Sequence, residues 1–141
     1  MDFTLELVLV PVADVDRAKK FYLDRLGFDL LVDTAVGEHI RIVQVTPPGS
    51  SCSIGFGSGV LDSAEPGSYR GMHLVVRDIV AAREQLLRSG VPVSEVRHMS
   101  EGGWQPGPHP ERSGYMSFAE FNDPDGNGWV LQEVRRTGAA T

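Results

Sequence analysis

The chain has little of the residues that would commit it to several kinds of chemistry. It holds one cysteine, Cys52, among 141 residues. No internal disulfide can form, and a lone thiol in an alternating apolar stretch reads as a small core residue, which fits a reducing, cytoplasmic setting. Base is scarce beside acid: 13 Lys and Arg against 19 Asp and Glu give a formal net charge of −6. Grips on phosphate backbones rest on clusters of Lys and Arg, so nucleic acid is not expected as a partner. No apolar run approaches the roughly 20 residues of a membrane span, so no membrane is expected either. The opening MDFTLELVLVPVADVD carries acid where a secretory leader carries base, which again points to the cytoplasm. There is no G-x-S-x-G elbow, no phosphate-cradling loop and no C-x-x-C pair. The glycines of GFGSG at 55 to 59 lead to no helix, so a dinucleotide site is not supported.

What the chain does have is a repeat. LVLVPVADVDRAKKFY, from Leu7 to Tyr22, is echoed by GMHLVVRDIVAAREQL, from Gly71 to Leu86. In that register Val12 meets Val76, Asp14 meets Asp78 and Ala18 meets Ala82. Two copies of one supersecondary unit, each too small to bury its own apolar face, imply a single domain over 1–141. Its N-terminal module runs over about 4–58, a linker over about 59–70 and its C-terminal module over about 71–134. Each module reads as strand, helix and three strands, an α+β pattern. Residues 4–12 alternate as a strand, Asp14 stands at a helix N-cap, Val15, Ala18, Tyr22 and Leu26 form one stripe, and Gly27 ends the helix. The second module repeats this with Asp78, Ile79, Ala82, Leu86 and Gly90. Further strands are expected at 28–32, 39–46 and 52–57, then at 92–97, 115–121 and 129–134. The last two are joined by a tight turn at Asp123-Pro-Asp-Gly-Asn-Gly. Thr137 to Thr141 is expected to be disordered.

The two βαβββ modules, the phrase FYLDRLGF and the closing FNDPDGNGWVLQE resemble the vicinal oxygen chelate superfamily of glyoxalase I, bleomycin-resistance proteins and extradiol dioxygenases. The resemblance spans roughly residues 4–134. It implies an eight-stranded cup around one pocket, where family enzymes hold a divalent metal with His, Glu or Gln from the first and last strand of each module. The first-strand positions fall on Leu7 and Gly71, and the last-strand position of the second module falls on Val130. None of these can donate to a metal, so a metal-free pocket with no cofactor is expected. A displaced ligand set is the alternative. His73 shares a strand face with Gly71, and Gln132 with Val130, and Glu6 or Glu133 could join them. The plainer reading is preferred: His73 lines the pocket, Gln132 contacts ligand, and Glu6 and Glu133 face solvent.

His98 and His109 flank an insertion stiffened by Pro106, Pro108 and Pro110 that carries Trp104, and it reads as a long lid-like loop. The spacing of the two histidines matches no recognised metal motif. Arg41 and Arg70 read as solvated, and Tyr115, Phe118, Phe121, Phe56 and Trp129 as apolar wall, mostly core. The expected ligand-binding residues are Leu7, Leu9, Phe56, His73, Trp104, Val130 and Gln132. They suit a largely apolar, aromatic small molecule held by few polar contacts. Two functions follow. One is a non-catalytic homodimer that sequesters an aromatic antibiotic or metabolite, as the bleomycin-resistance branch would imply. The other is a lyase, isomerase or dioxygenase with a displaced metal, or an enzyme using His73 as acid or base. Binding is the preferred reading.

Overall fold

Alternating apolar residues and two aspartate caps lay out the elements. The computed structural model describes residues 1–61, 63–112 and 114–135, and the tail expected to be disordered, Thr137 to Thr141, lies outside them. The backbone divides into two compact units: Met1–Tyr69 with Asp123–Asn127, and Arg70–Asn122 with the chain from Gly128 on.

In the first unit β1 (Leu7–Leu9) leads to α1 (Val15–Lys20), which widens into a π-helical turn at Phe21–Arg25. β2 (Asp29–Val36), β3 (Ile40–Thr46) and β4 (Ser53–Ser58) follow. The sheet order is β1-β4-β3-β2, with β1 and β4 parallel. Asp14 caps α1 as expected, its Oδ1 accepting from the Arg17 N–H at 3.0 Å. Ala18 and Tyr22 are buried, and the Tyr22 ring stacks on Phe56 at 5.6 Å between centroids. Gly57 has a specific task. A Cβ there would overlap the Arg41 carbonyl oxygen, so only glycine lets β3 and β4 approach at that point. Arg41 is not the free surface cation expected. Its fork grips Asp33 at 3.0 and 3.1 Å and reaches Asp16 at 2.9 Å. Hydrogen bonds from Arg41 and then Lys19 hold the Asp33 carboxyl far below the usual carboxylate range.

The Asp123–Asn127 turn completes this unit. Buried Asp123 takes the Tyr22 hydroxyl proton donor at 2.7 Å on Oδ2, and the N–H groups of Asp125 and Asn127 on Oδ1, each at 2.9 Å. The Asn127 amide donates to the Pro11 carbonyl at 2.8 Å and accepts from the Tyr69 N–H at 3.1 Å. The side chains of Asp123 and Asn127 are thus held by named partners, while in the same turn Asp125 Oδ2 is buried without one among the described residues. Tyr22→Phe removes one donor from a buried carboxylate and keeps the ring packing. We expect a loss of about 1–3 kcal/mol of stability, read from urea denaturation followed by circular dichroism.

The second unit runs β5 (Met72–Val76), α2 (Ile79–Arg88), β6 (Arg97–Ser100), β7 (Gly103–Pro106), β8 (Gly114–Asn122) and β9 (Gly128–Arg135), in sheet order β5-β9-β8-β6-β7. Asp78 caps α2 through the Ala81 N–H at 3.1 Å. Two expectations are corrected. The strand expected at 92–97 begins only at Arg97. Pro92 offers no N–H to a ladder, and Ser94 joins β8 by isolated bonds to Glu120. The insertion read as a loop is a β-hairpin, with Met99 opposite Trp104 and His98 opposite Gln105. Gly103, at φ 103°, opens the returning strand. The α+β class and the strand-helix-strands plan of both modules hold, and the hairpin adds a ninth strand to the eight expected.

Candidate ligand-binding face

The second sheet has one covered face and one open face, and strand alternation assigns every residue to one or the other. Ser117, Ala119 and Phe121 of β8 lie beside Glu133, Leu131 and Trp129 of β9, and all six are buried. α2 packs against this side through buried Ile79. The residues between them face the other way. Across the open face one row reads Val75, Gln132, Phe118, Arg97 and Pro106, and the next reads His73, Val130 and Glu120.

Four of the seven expected ligand-binding residues therefore share this surface: His73, Trp104, Val130 and Gln132. Rings cross it in sequence. The His73 imidazole meets the Phe118 ring edge-on at 6.4 Å, and Phe118 meets the Trp104 indole edge-on at 5.5 Å. The Arg97 guanidinium carbon sits 3.8 Å from the Trp104 ring centroid, a cation–π contact. Trp104 remains 43% exposed and Met99 44%, so the hairpin offers apolar surface that the unit itself leaves uncovered. His73 Nδ1 lies 2.8 Å from the Gly71 carbonyl, which can only accept. Nδ1 therefore donates, and Nε2 takes no part in that contact. Gln132 donates from Nε2 to the Tyr115 carbonyl at 3.0 Å.

In the first unit Leu7 and Leu9 lie half-buried on the sheet face of Gly55, where a Cβ would meet their methyl groups at 3.2–3.3 Å. Phe56 is corrected. Its neighbours in β4 point toward Leu7 and Leu9, so alternation turns Phe56 to the helix side, where it is 0% exposed beneath Tyr22. It is core.

Glu133 is corrected as well. It does not face solvent but lies on the covered face, 2% exposed. Its Oε2 accepts the Ile79 N–H of the first turn of α2 at 2.9 Å, and Arg112 grips both oxygens at 3.0 and 2.8 Å. Arg112 also reaches Asp78 at 3.2 Å. It does so at φ 56°, a left-handed conformation that only a well-held non-glycine residue sustains. Burial pushes the Glu133 carboxyl up, but the Arg112 and Ile79 hydrogen bonds outweigh it and hold the group below its ordinary value. A depressed carboxyl stabilises the fold above the unfolded pKa of about 4.3 and loses that contribution as pH falls through the lower folded value. Glu133→Gln is expected to remove this acid-dependent component from urea midpoints measured between about pH 3 and pH 6. Arg112→Met, which strands a buried charge, is expected to cost about 3 kcal/mol at neutral pH.

The displaced ligand set can be tested against this geometry. Glu133 is on the opposite side of the sheet from His73 and is committed to Arg112 and α2. Gln132, whose amide N–H goes to Tyr115, has only its Oε1 to offer, and Glu6 is exposed. Leu7, Gly71 and Val130 carry no donor side chains. Among the described residues no three of His, Cys, Asp and Glu come together as a metal site. A divalent ion asks for about three or more protein donors, so the side chains present on this face do not fit one. His98 and His109 meet edge-on at 5.4 Å, but His98 is buried with Nδ1 donating to the Gly107 carbonyl, and His109 Nδ1 accepts the Glu111 N–H. They fix the base of the hairpin.

Sequence reasoning missed Phe118 and Arg97 as site residues. The signal for Phe118 was present in β8, where SFAEF places Phe118 opposite in phase to Ala119 and Phe121. Arg97 had none, since its place beside Trp104 depends on the hairpin.

The comparisons agree with this architecture. The profile of the Glyoxalase/Bleomycin resistance protein/Dioxygenase superfamily matches residues 4–131. The chain belongs to that superfamily. TnmS3, an antibiotic binding protein from Streptomyces sp. CB03234, is 34% identical, with a TM-score of 0.74 over 95% of this chain and 98% of its own. A glyoxalase/bleomycin resistance protein from the same Streptomyces is 35% identical, with a TM-score of 0.71 over 92% of this chain and 100% of its own. The uncharacterized protein YetH of Bacillus subtilis (strain 168) is 24% identical over 126 residues, 89% of this chain and 94% of its own.

Proposed function

We propose that the protein binds a largely apolar, planar aromatic small molecule, an antibiotic or related metabolite, and holds it without a metal and without changing it. The observation that carries this reading is the ring row from His73 through Phe118 to Trp104 on an open sheet face. Flat π-systems stack on such rings with little conformational cost, and Val75, Val130 and Met99 around them supply apolar area. The likeness to an antibiotic binding protein of 34% identity supports the same reading. Sequestration in the cytoplasm needs no turnover, only affinity. A homodimer belongs to the proposal, because Leu30, Leu31, Val36 and Ile40 leave further apolar surface exposed on β2 and β3.

A second reading, catalysis with His73 as acid or base, has one observation in its favour: Nε2 of that exposed ring is not used by the Gly71 contact. Titration with 2-(hydroxymethyl)anthraquinone, an uncharged planar polycyclic aromatic, separates the two. We expect saturable quenching of Trp104 emission, unchanged ligand on recovery, and no effect of EDTA. Trp129 is buried, so Trp104→Phe should abolish the response. Phe118→Ala should weaken binding by about 1–3 kcal/mol. Ligand turnover that His73→Ala abolishes, or binding that EDTA removes, would overturn the proposal.

A further inference from the structure

Arg97 is the cation of the open face, and its donors are unspent. Its guanidinium is stacked on Trp104 at 3.8 Å, and its one ion pair is a loose approach to Glu120, Nη2 to Oε1 at 3.6 Å. That separation is longer than a hydrogen bond. Among the described residues the Arg97 side chain makes no hydrogen bond, whereas Arg41 and Arg112 each grip carboxylates at 2.8–3.2 Å. The contact with the indole holds the fork in place without consuming any N–H. A planar guanidinium with free donors is matched in shape by a carboxylate, which takes two parallel hydrogen bonds from it. Phe118 lies in the same cross-strand row as Arg97, so a flat ring seated on Phe118 brings its substituent to the guanidinium.

We infer that the ligand class is an aromatic acid: a planar ring system on Phe118 whose carboxylate pairs with Arg97 and displaces Glu120. This rests on the open face being the binding surface, as proposed above. It also runs against the protein's overall charge of −6, so the selectivity it describes is local to Arg97 and not a property of the whole field. Glu120 then serves as a placeholder, at a contact too long and too exposed to hold the fork strongly, with both side chains about half exposed.

Three probes with one ring and three charges test it: 2-naphthoate, 2-naphthalenemethanol and 2-naphthylmethylammonium, titrated by calorimetry. The naphthoate is expected to bind at least about tenfold more tightly than the alcohol, the difference a charge-assisted pair supplies, and the ammonium most weakly. Arg97→Gln should erase the preference, bringing the affinities for naphthoate and alcohol to within about twofold of each other. Glu120→Gln should raise naphthoate affinity alone. Phe118→Ala should weaken all three together. Equal binding of the three charges, or a preference that survives Arg97→Gln, overturns the assignment of the acid while leaving the ring row standing. Failure of all three to bind removes the open face as a site, and this inference with it.

Discussion

The carboxylate of Glu133 lies under β9 with the Ile79 N–H and two Arg112 donors around it, and that arrangement decides which way Val130 and Gln132 point. Side chains in a strand alternate, so a one-residue slip of β9 would carry Glu133 out of this cage and bring Gln132 in. It would also turn Leu131 and Trp129 outward. A buried charge that loses its partners is among the most costly changes a core can suffer, far more than the loss of one apolar contact. The ion pair therefore acts as a register pin. Phe118, held opposite Gln132 in the neighbouring strand, inherits its direction from the same constraint. The open face is the complement of a core that one glutamate fixes.

This explains why the sequence was legible in some places and not in others. Asp14 and Asp78 each sit just before an apolar stripe, and cap-plus-stripe is a local signal that needs no tertiary information. The duplicated phrase and the Asp123–Asn127 turn are local too. Glu133 is different. Its main partner, Arg112, stands 21 residues earlier on a turn that nothing in the local pattern ties to β9. An isolated glutamate in a strand reads as solvent-facing because few are buried. Phe56 was assigned to the right strand but the wrong face. The two glycines beside it were the missed clue, since they leave the face of Leu7 and Leu9 without bulk and send the aromatic beneath α1.

The positions where metal-dependent relatives would present donors bear on chemistry as well as on fold. Leu7, Gly71 and Val130 carry no lone pairs on their side chains. His73 keeps an imidazole on the open face but has Val130 beside it in register and Gln132 turned to the Tyr115 carbonyl. One imidazole and one amide fall short of the three or more protein donors that a divalent ion asks for. Membership of the superfamily fixes the scaffold, while the function belongs to whatever side chains the scaffold presents.

The β6–β7 hairpin forms the edge of the second sheet. An edge strand with exposed apolar residues is a liability, because it invites pairing with other chains. β7 is bounded by Gly103 and Pro106, and Gly107, Pro108 and Pro110 follow directly after it, which limits the length that can pair. The hairpin nevertheless leaves Trp104 and Met99 uncovered. Cross-strand pairing sets Trp104 against Met99, and the diagonal brings Arg97 over the indole. A loop could carry the same residues but would have to order them on binding, at an entropic cost that a paired strand has already met in folding. Placing the tryptophan on a strand gives a rigid aromatic wall beside Phe118, and His98, bonded to Gly107 from the covered side, holds the base of that wall in place.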